Sequence, residues 1–236
     1  MQYTPQSSPY LFGGTRPWTP SSWTSTDDRV RGGASHSYLT IHEAPNTATF
    51  HGTLDITALG GAGFASQRTT TTSHVWDLTP YDGLELSVPK SDGKKYTLTL
   101  KDELLPRRPD GRERSGLVWE YDFRVPKGGD KLRVPWGEFR PTYRGREVSG
   151  VKPLDLGGVR RVGIMVRSFF GEQEGEFELV VESIKGFKKE EGEGESEGRY
   201  RDDPEDLGED EYEFDEKVWD ERHTKGLGWF SCCGLF

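Results

Sequence analysis

Two carboxylates placed two positions apart, Glu120 and Asp122, are the residues most capable of acid–base work in this chain. If the segment around them is a strand, they share one face about 7 Å apart, a separation loosely compatible with the paired acids of glycoside hydrolysis. Arg124 and Lys101 are at hand to pair with them across strands, which is the ordinary fate of charges on a sheet face. A second lure is Gly60-Gly61-Ala62-Gly63-Phe64-Ala65-Ser66-Gln67-Arg68. A phosphate cradle would need Lys-Ser/Thr after the last glycine and then a helix, and a dinucleotide fingerprint would need a third spaced glycine in a βαβ unit. Neither is present, so the stretch reads as a tight turn that carries Phe64 into the core at a strand start. Gln67 and Arg68 are then free to bond nearby backbone. The histidines (His36, His42, His51, His74, His223) show no metal-ligand spacing, and no helix carries a pair of them. No catalytic residue, metal or cofactor is expected.

The remaining chemistry lies at the end of the sequence. Cys233-Gly234-Leu235-Phe236 fits a C-a-a-X prenylation box, with Phe favouring geranylgeranyl, and Cys232 beside it is a candidate for palmitoylation. Stable attachment takes two such signals. A short cysteine-bearing tail also fits the box by accident, and no polybasic stretch precedes it. Both cysteines being terminal, no disulfide staples the fold.

Charge is unevenly spread. Residues 188–222 hold 17 Asp and Glu against six Lys and Arg, whereas the rest carries 23 against 25. The near-neutral remainder argues against nucleic acid as a partner. The acidic segment has too little apolar surface to offset its ordering entropy and reads as a disordered tether. The domain reading is a flexible lead over 1–9, a sandwich over 10–187, an acidic linker over 188–222 and an apolar tail over 223–236. No apolar run reaches the roughly 20 residues of a spanning helix. The first 26 residues are acid-free, but with one basic residue, Arg16, and prolines at 5, 9, 17 and 20 they do not form the amphipathic helix of a transit peptide.

Between Gly33 and Phe187 the pattern is β. Expected strands are Tyr38–Ile41, Thr47–Ile56, Phe64–Thr72, Leu84–Val88, Tyr96–Lys101, Leu117–Val125, Lys131–Val134, Val159–Phe170 and Phe177–Ile184. In the best of them, Leu117, Trp119, Tyr121, Phe123 and Val125 form one apolar face. The unalternating run Val162-Gly163-Ile164-Met165-Val166 marks a central strand covered on both faces. Tyr10-Leu11-Phe12, Trp18 and Trp23 read as aromatic fasteners of a coil onto this core. Nine alternating strands without a helix longer than two turns imply an all-β antiparallel jelly-roll sandwich, large enough to stand as a monomer.

The polar side of that sheet, Thr97, Thr99, Lys101, Glu120, Asp122, Arg124 and Arg167, is the candidate ligand-binding groove, of a kind that holds sugars or peptides. Arg107, Arg108, Arg112 and Arg114 crowd one loop, and Arg140, Arg144 and Arg146 another. They read as solubilising charges or as attractors of the acidic segment or of an acidic partner.

Several stretches taken together resemble a known family. They are Trp23 with Asp27-Asp28-Arg29-Val30-Arg31-Gly32-Gly33-Ala34-Ser35, Phe50-His51-Gly52-Thr53-Leu54, the Gly60–Arg68 run, and Trp76-Asp77-Leu78. Tyr81-Asp82-Gly83-Leu84, Trp119-Glu120-Tyr121-Asp122-Phe123, Pro135-Trp136-Gly137-Glu138-Phe139 and Pro141-Thr142-Tyr143-Arg144-Gly145-Arg146 continue the series in order. The family is that of the NADH:ubiquinone oxidoreductase (complex I) intermediate-associated proteins. The resemblance implies a galactose-binding-like jelly roll and a non-catalytic, chaperone-type assembly factor that binds partly assembled complex I in mitochondria. It brings no catalytic residues. The alternatives are a carbohydrate-binding module and a cytosolic adaptor attached to membrane through a C-terminal lipid.

Overall fold

A computed structural model describes residues 8–189, apart from 108, 110 and 112. Residues 1–7 of the expected lead, the acidic segment from 190 onward, and Cys232 and Cys233 lie outside the described residues. The strands are β1 (Tyr10–Phe12), β2 (Trp23–Ser25), β3 (His36–His42), β4 (Thr47–Leu54), β5 (Phe64–Thr69), β6 (Gly83–Val88), β7 (Lys90–Ser91) and β8 (Lys95–Lys101). They continue as β9 (Val118–Arg124), β10 (Asp130–Pro135), β11 (Arg140–Tyr143), β12 (Arg146–Glu147), β13 (Arg161–Arg167), β14 (Gly175–Val181) and β15 (Ser183–Phe187). Helical structure among the described residues is confined to three 3₁₀ turns of three or four residues. None of their helices is long and apolar enough to cross a membrane.

One layer is a seven-stranded antiparallel sheet ordered β12-β11-β9-β8-β13-β5-β2. The strand read as central, β13, does lie between β8 and β5, and Val162, Ile164 and Val166 are fully buried. Opposite it stand two four-stranded sheets, β1-β15-β6-β10 and β3-β4-β14-β7. These are two parts of one interrupted layer. Only Pro89 separates β6 from β7 and only Glu182 separates β14 from β15, while Ser183 pairs with Ser87 and Val180 with Lys90 in one continuous register. Proline brings no N–H to the ladder, and the Glu182 backbone N–H bonds instead to the Ser87 carbonyl, 2.8 Å away.

The single strand expected over Phe177–Ile184 is therefore two strands, with the apolar phase changing at Glu182. Likewise the expected strand through Phe170 stops at Arg167. Phe50 of β4, 6.1 Å from the Tyr96 ring of β8, shows how the layers interlock. Leu84, Leu86 and Val88 face the core, and β6 is buried on its other face too. There Glu85 holds Arg133 at 2.9 Å and Lys185 at 3.0 Å, and Ser87 donates to Glu182. The aromatic fasteners are in place. Phe12, Trp18 and Trp23 pack together with ring centroids 4.8–5.6 Å apart, and Trp18 Nε1 bonds the Glu182 carbonyl.

Candidate functional site

Register decides which side chains share the outer face of the seven-stranded sheet. Arg167 lies beside Phe64, Met165 between Ser66 and Thr97, Gly163 between Arg68 and Thr99, and Arg161 beside Lys101. Thr97 then faces Asp122, and Thr99 faces Glu120. The seven residues expected to form one groove thus do occupy one face, but not as one cluster.

Thr97, Glu120, Asp122 and Arg167 converge. Arg167 Nη1 donates to Glu120 Oε2 at 2.7 Å, and Nη2 to both Asp122 oxygens at 2.7 and 2.8 Å. The Thr97 hydroxyl adds a 2.6 Å bond to Asp122 Oδ1. Burial alone would depress the Arg167 guanidinium, but Asp122 and then Glu120 outweigh it and hold it above its usual range. Arg124 and Lys101, expected on the two carboxylates, are elsewhere. Arg124 faces Lys95 and bonds the Gly93 carbonyl at 3.3 Å. Lys101 sits beyond the last β8–β9 pair, Leu100 with Trp119, opposite Arg161. A carboxylate pair clamped by one guanidinium has no free acid poised for proton transfer. Thr99 lies between the two ends, over Gly163, where a Cβ would meet its Oγ1 at 2.6 Å.

Beyond Arg167 the chain turns sharply. Phe169 and Phe170 both adopt left-handed backbone, φ 46° and 59°, costing about 1–2 kcal/mol each for a bulky residue. Tertiary bonds impose this. Gln173 grips Lys95 through both backbone groups, at 2.9 and 2.8 Å, and the Arg167 carbonyl at 2.7 Å. The Ser168 N–H reaches the Gly63 carbonyl at 2.9 Å. The Phe169 ring lies 4.6 Å from Lys95 Nζ and 4.8 Å from the Arg167 guanidinium carbon, whereas Phe170 is 98% exposed. Nothing in an apolar pair after a strand announces such a corner.

The Gly60–Arg68 run is structural, with one correction. Phe64 does not enter the core. It is half-buried on the outer face, beneath the Arg31 guanidinium at 5.8 Å, because its N–H is drawn to Asp28 Oδ2 at 3.0 Å and sets the strand phase. Ala65, Gln67 and Thr69 point inward instead. Gln67 Nε2 bonds the Ser37 carbonyl at 3.1 Å. Asp28, fully buried, also accepts from the Ser35 N–H and hydroxyl, and Asp27 from those of Ser37 and the Ser66 N–H.

Among the described residues no three His, Cys, Asp or Glu side chains are placed to hold a metal ion. His51 and His42 bond Thr40 and Thr49. His74 packs edge-on to Trp76 at 4.5 Å, its imidazole held below its usual range by burial and by Arg16.

Comparison with known proteins agrees with this architecture. Residues 11–181 match the family described as complex I intermediate-associated protein 30. An uncharacterised protein of Schizosaccharomyces pombe is 42% identical over 184 residues, covering 76% of this chain and 84% of that one. Among solved structures, the solution structure of CtCBM11 is similar, with a TM-score of 0.50 and 14% identity, covering 80% of this chain and 100% of that one. A family 11 carbohydrate-binding module from a cellulosomal cellulase of Clostridium thermocellum gives 0.49 and 16%, covering 72% and 91%. At 14% identity the likeness to CtCBM11 shows the fold alone and nothing about ligands.

Proposed function

We propose that this chain, which belongs to the complex I intermediate-associated protein 30 family, is a non-catalytic protein-binding module that acts in complex I assembly in mitochondria. The observation that carries the protein-binding reading is the Phe169–Phe170 corner. A 98% exposed phenylalanine beside a charged sheet face, on backbone fixed by bonds at Ser168 and Gln173, is the form of an interface anchor. It enters a partner pocket with little backbone entropy left to lose. Backbone strain retained at such a corner is a mark of use. The charged cluster around Arg167 supports the same reading, because Glu120 and Asp122 are both paired with one guanidinium, of which Nε lacks a partner among the described residues.

A carbohydrate-binding module is the second reading, favoured by the polar surface of Thr97, Asp122, Glu120 and Arg167. Sugar rings are held by flat aromatic platforms, and the two rings by this face are each taken up by cations, Phe64 by Arg31 and Phe169 by Lys95 and Arg167. A glycan array returning a specific signal would reverse this preference.

The test is affinity capture with the full chain from mitochondrial extract, together with complex I content in a deletion strain. Complex I subunits or assembly factors should co-purify and should be lost with Phe170→Ser. Recovery of none of them, with normal complex I in the deletion strain, overturns the respiratory role.

A further inference from the structure

At the end of the outer face away from Arg167 the charges do not cancel. Arg68 of β5, Lys101 of β8 and Arg161 of β13 come together there, joined by Arg107 from the loop that leads into β9. Among the described residues one carboxylate, Glu113 of that loop, is within ion-pair distance of the three arginines. Its Oε1 lies 3.0 Å from Arg68 Nη2, 3.3 Å from Arg161 Nη1 and 3.8 Å from Arg107 Nη2. The Arg161 side chain is 4% exposed, and its Nε has no partner among the described residues. A buried guanidinium demands more than one shared oxygen. Beside this cluster opens a cleft of about 600 Å³, lined by five Lys and Arg against three Asp and Glu. Asp102, one of the three, accepts from the Asp155 N–H at 2.9 Å. Burial depresses the Lys101 ammonium, with Glu113 opposing and Arg68 adding to the effect.

We propose that Arg68, Lys101 and Arg161 form a binding site for side-chain carboxylates of an acidic segment of a partner protein, in which Glu113 occupies the ligand's place until displaced. This rests on the protein-binding reading above and names the partner's chemistry. The present occupant points to a carboxylate, since one oxygen of Glu113 meets both the Arg68 and the Arg161 guanidinium, which reach it from strand positions about 7 Å apart. The adjoining cleft of about 600 Å³, with Arg107, Arg114 and Arg160 also on its lining, has room for the neighbouring residues of a peptide and not only for a single anion. Guanidinium groups held by the fold are suited to paired carboxylates. Glu113, with a third of its side chain exposed and carried on a loop, is the removable member.

The experiment measures fluorescence anisotropy of a labelled Glu-Thr-Glu-Thr-Glu-Thr peptide with the full chain, its Gln-for-Glu counterpart serving as control. Glu113→Gln should tighten binding about tenfold by removing the internal competitor. Lys101→Met and Arg107→Ala should each weaken it several-fold, while leaving the Arg68–Glu113–Arg161 contacts and the urea midpoint in place. Arg161→Met is informative only if folded, so those two variants carry the test. Unchanged affinity in both folded variants, or no gain in Glu113→Gln, overturns the site. Equal binding of the Gln control, or displacement by inorganic phosphate at the peptide's own concentration, overturns the peptide assignment. The Glu113→Gln response persisting while complex I capture fails would refute the assembly role alone.

Discussion

Replacing Arg167 by Met asks whether the charged cluster holds the fold together or awaits a ligand. The substitution keeps the aliphatic stem and removes the guanidinium from Glu120 and Asp122. Glu120 is then stranded with an 8% exposed side chain, one alternate position from a second carboxylate. Breaking one side of a buried pair costs about 3–5 kcal/mol. Arg167 and Asp122 keep 22% and 29% of their side chains in solvent, so screening lowers the figure to about 2–4 kcal/mol. Adding Glu120→Gln removes the stranded charge and should return about 1–2 kcal/mol, a coupling typical of contacting residues. Urea denaturation at pH 7 of the parent, both single variants and the double variant closes the cycle, with the slope expected unchanged. If Arg167→Met lies within about 0.5 kcal/mol of the parent, or the two changes simply add, the clasp reading is wrong and Arg167 is available for binding.

Other substitutions test the supporting frame. Gly63→Val would drive a branched side chain into the Asp55 carbonyl oxygen and toward Asp28, costing about 3 kcal/mol or more. Gly60→Ala, with open space around it but φ of 63°, should cost only about 1 kcal/mol; equal urea midpoints for the two would refute the packing argument. Asp28→Asn keeps shape but turns an amide toward the Ser35 or Phe64 N–H, and calorimetry should show a melting point lowered by roughly 2–10 °C. Burial pushes the Glu85 carboxyl up, but Arg133 and Lys185 outweigh it and leave it below its usual range. Its stabilising contribution is therefore full above the unfolded pKa of 4.5 and is lost as pH falls through the lower folded value. Chemical denaturation should find Glu85→Gln well below the parent at pH 7 and level with it at acid pH; a gap independent of pH would exclude this linkage.

Much of the fold was legible because alternation reports one face of a strand without knowing its neighbour. Trp119, Phe123 and Val125, read as part of one apolar face, are buried, and the unalternating run of β13 gave its central place. Which cation meets which carboxylate was not legible, since that depends on the register of three strands distant in sequence. Arg124 and Lys101 are close to Glu120 and Asp122 along the chain's own hairpin logic, yet Arg167 from β13 reaches both. The corner at Phe169–Phe170 was hidden for a similar reason: its conformation is imposed by Gln173 and Gly63, not by the phenylalanines. The break at Glu182 was legible in principle, because Val181 and Ile184 are out of phase. Phe64 was misplaced because a glycine-rich entry fixes that a strand begins, not which side its first residue takes.

The pairing of β1 with β15 sets a condition on synthesis. Tyr10 meets Lys185 and Phe12 meets Ile184, so the first of the described strands to be synthesised closes on the last of them. At 5–20 residues per second, about 10–35 s pass between the appearance of the two. Through that interval Tyr10 and Phe12 lack their strand partner and Trp18 the Glu182 carbonyl, and pairings this distant in sequence are the slowest to form. A nascent chain of this kind has reason to depend on holding chaperones before it can serve any partner of its own.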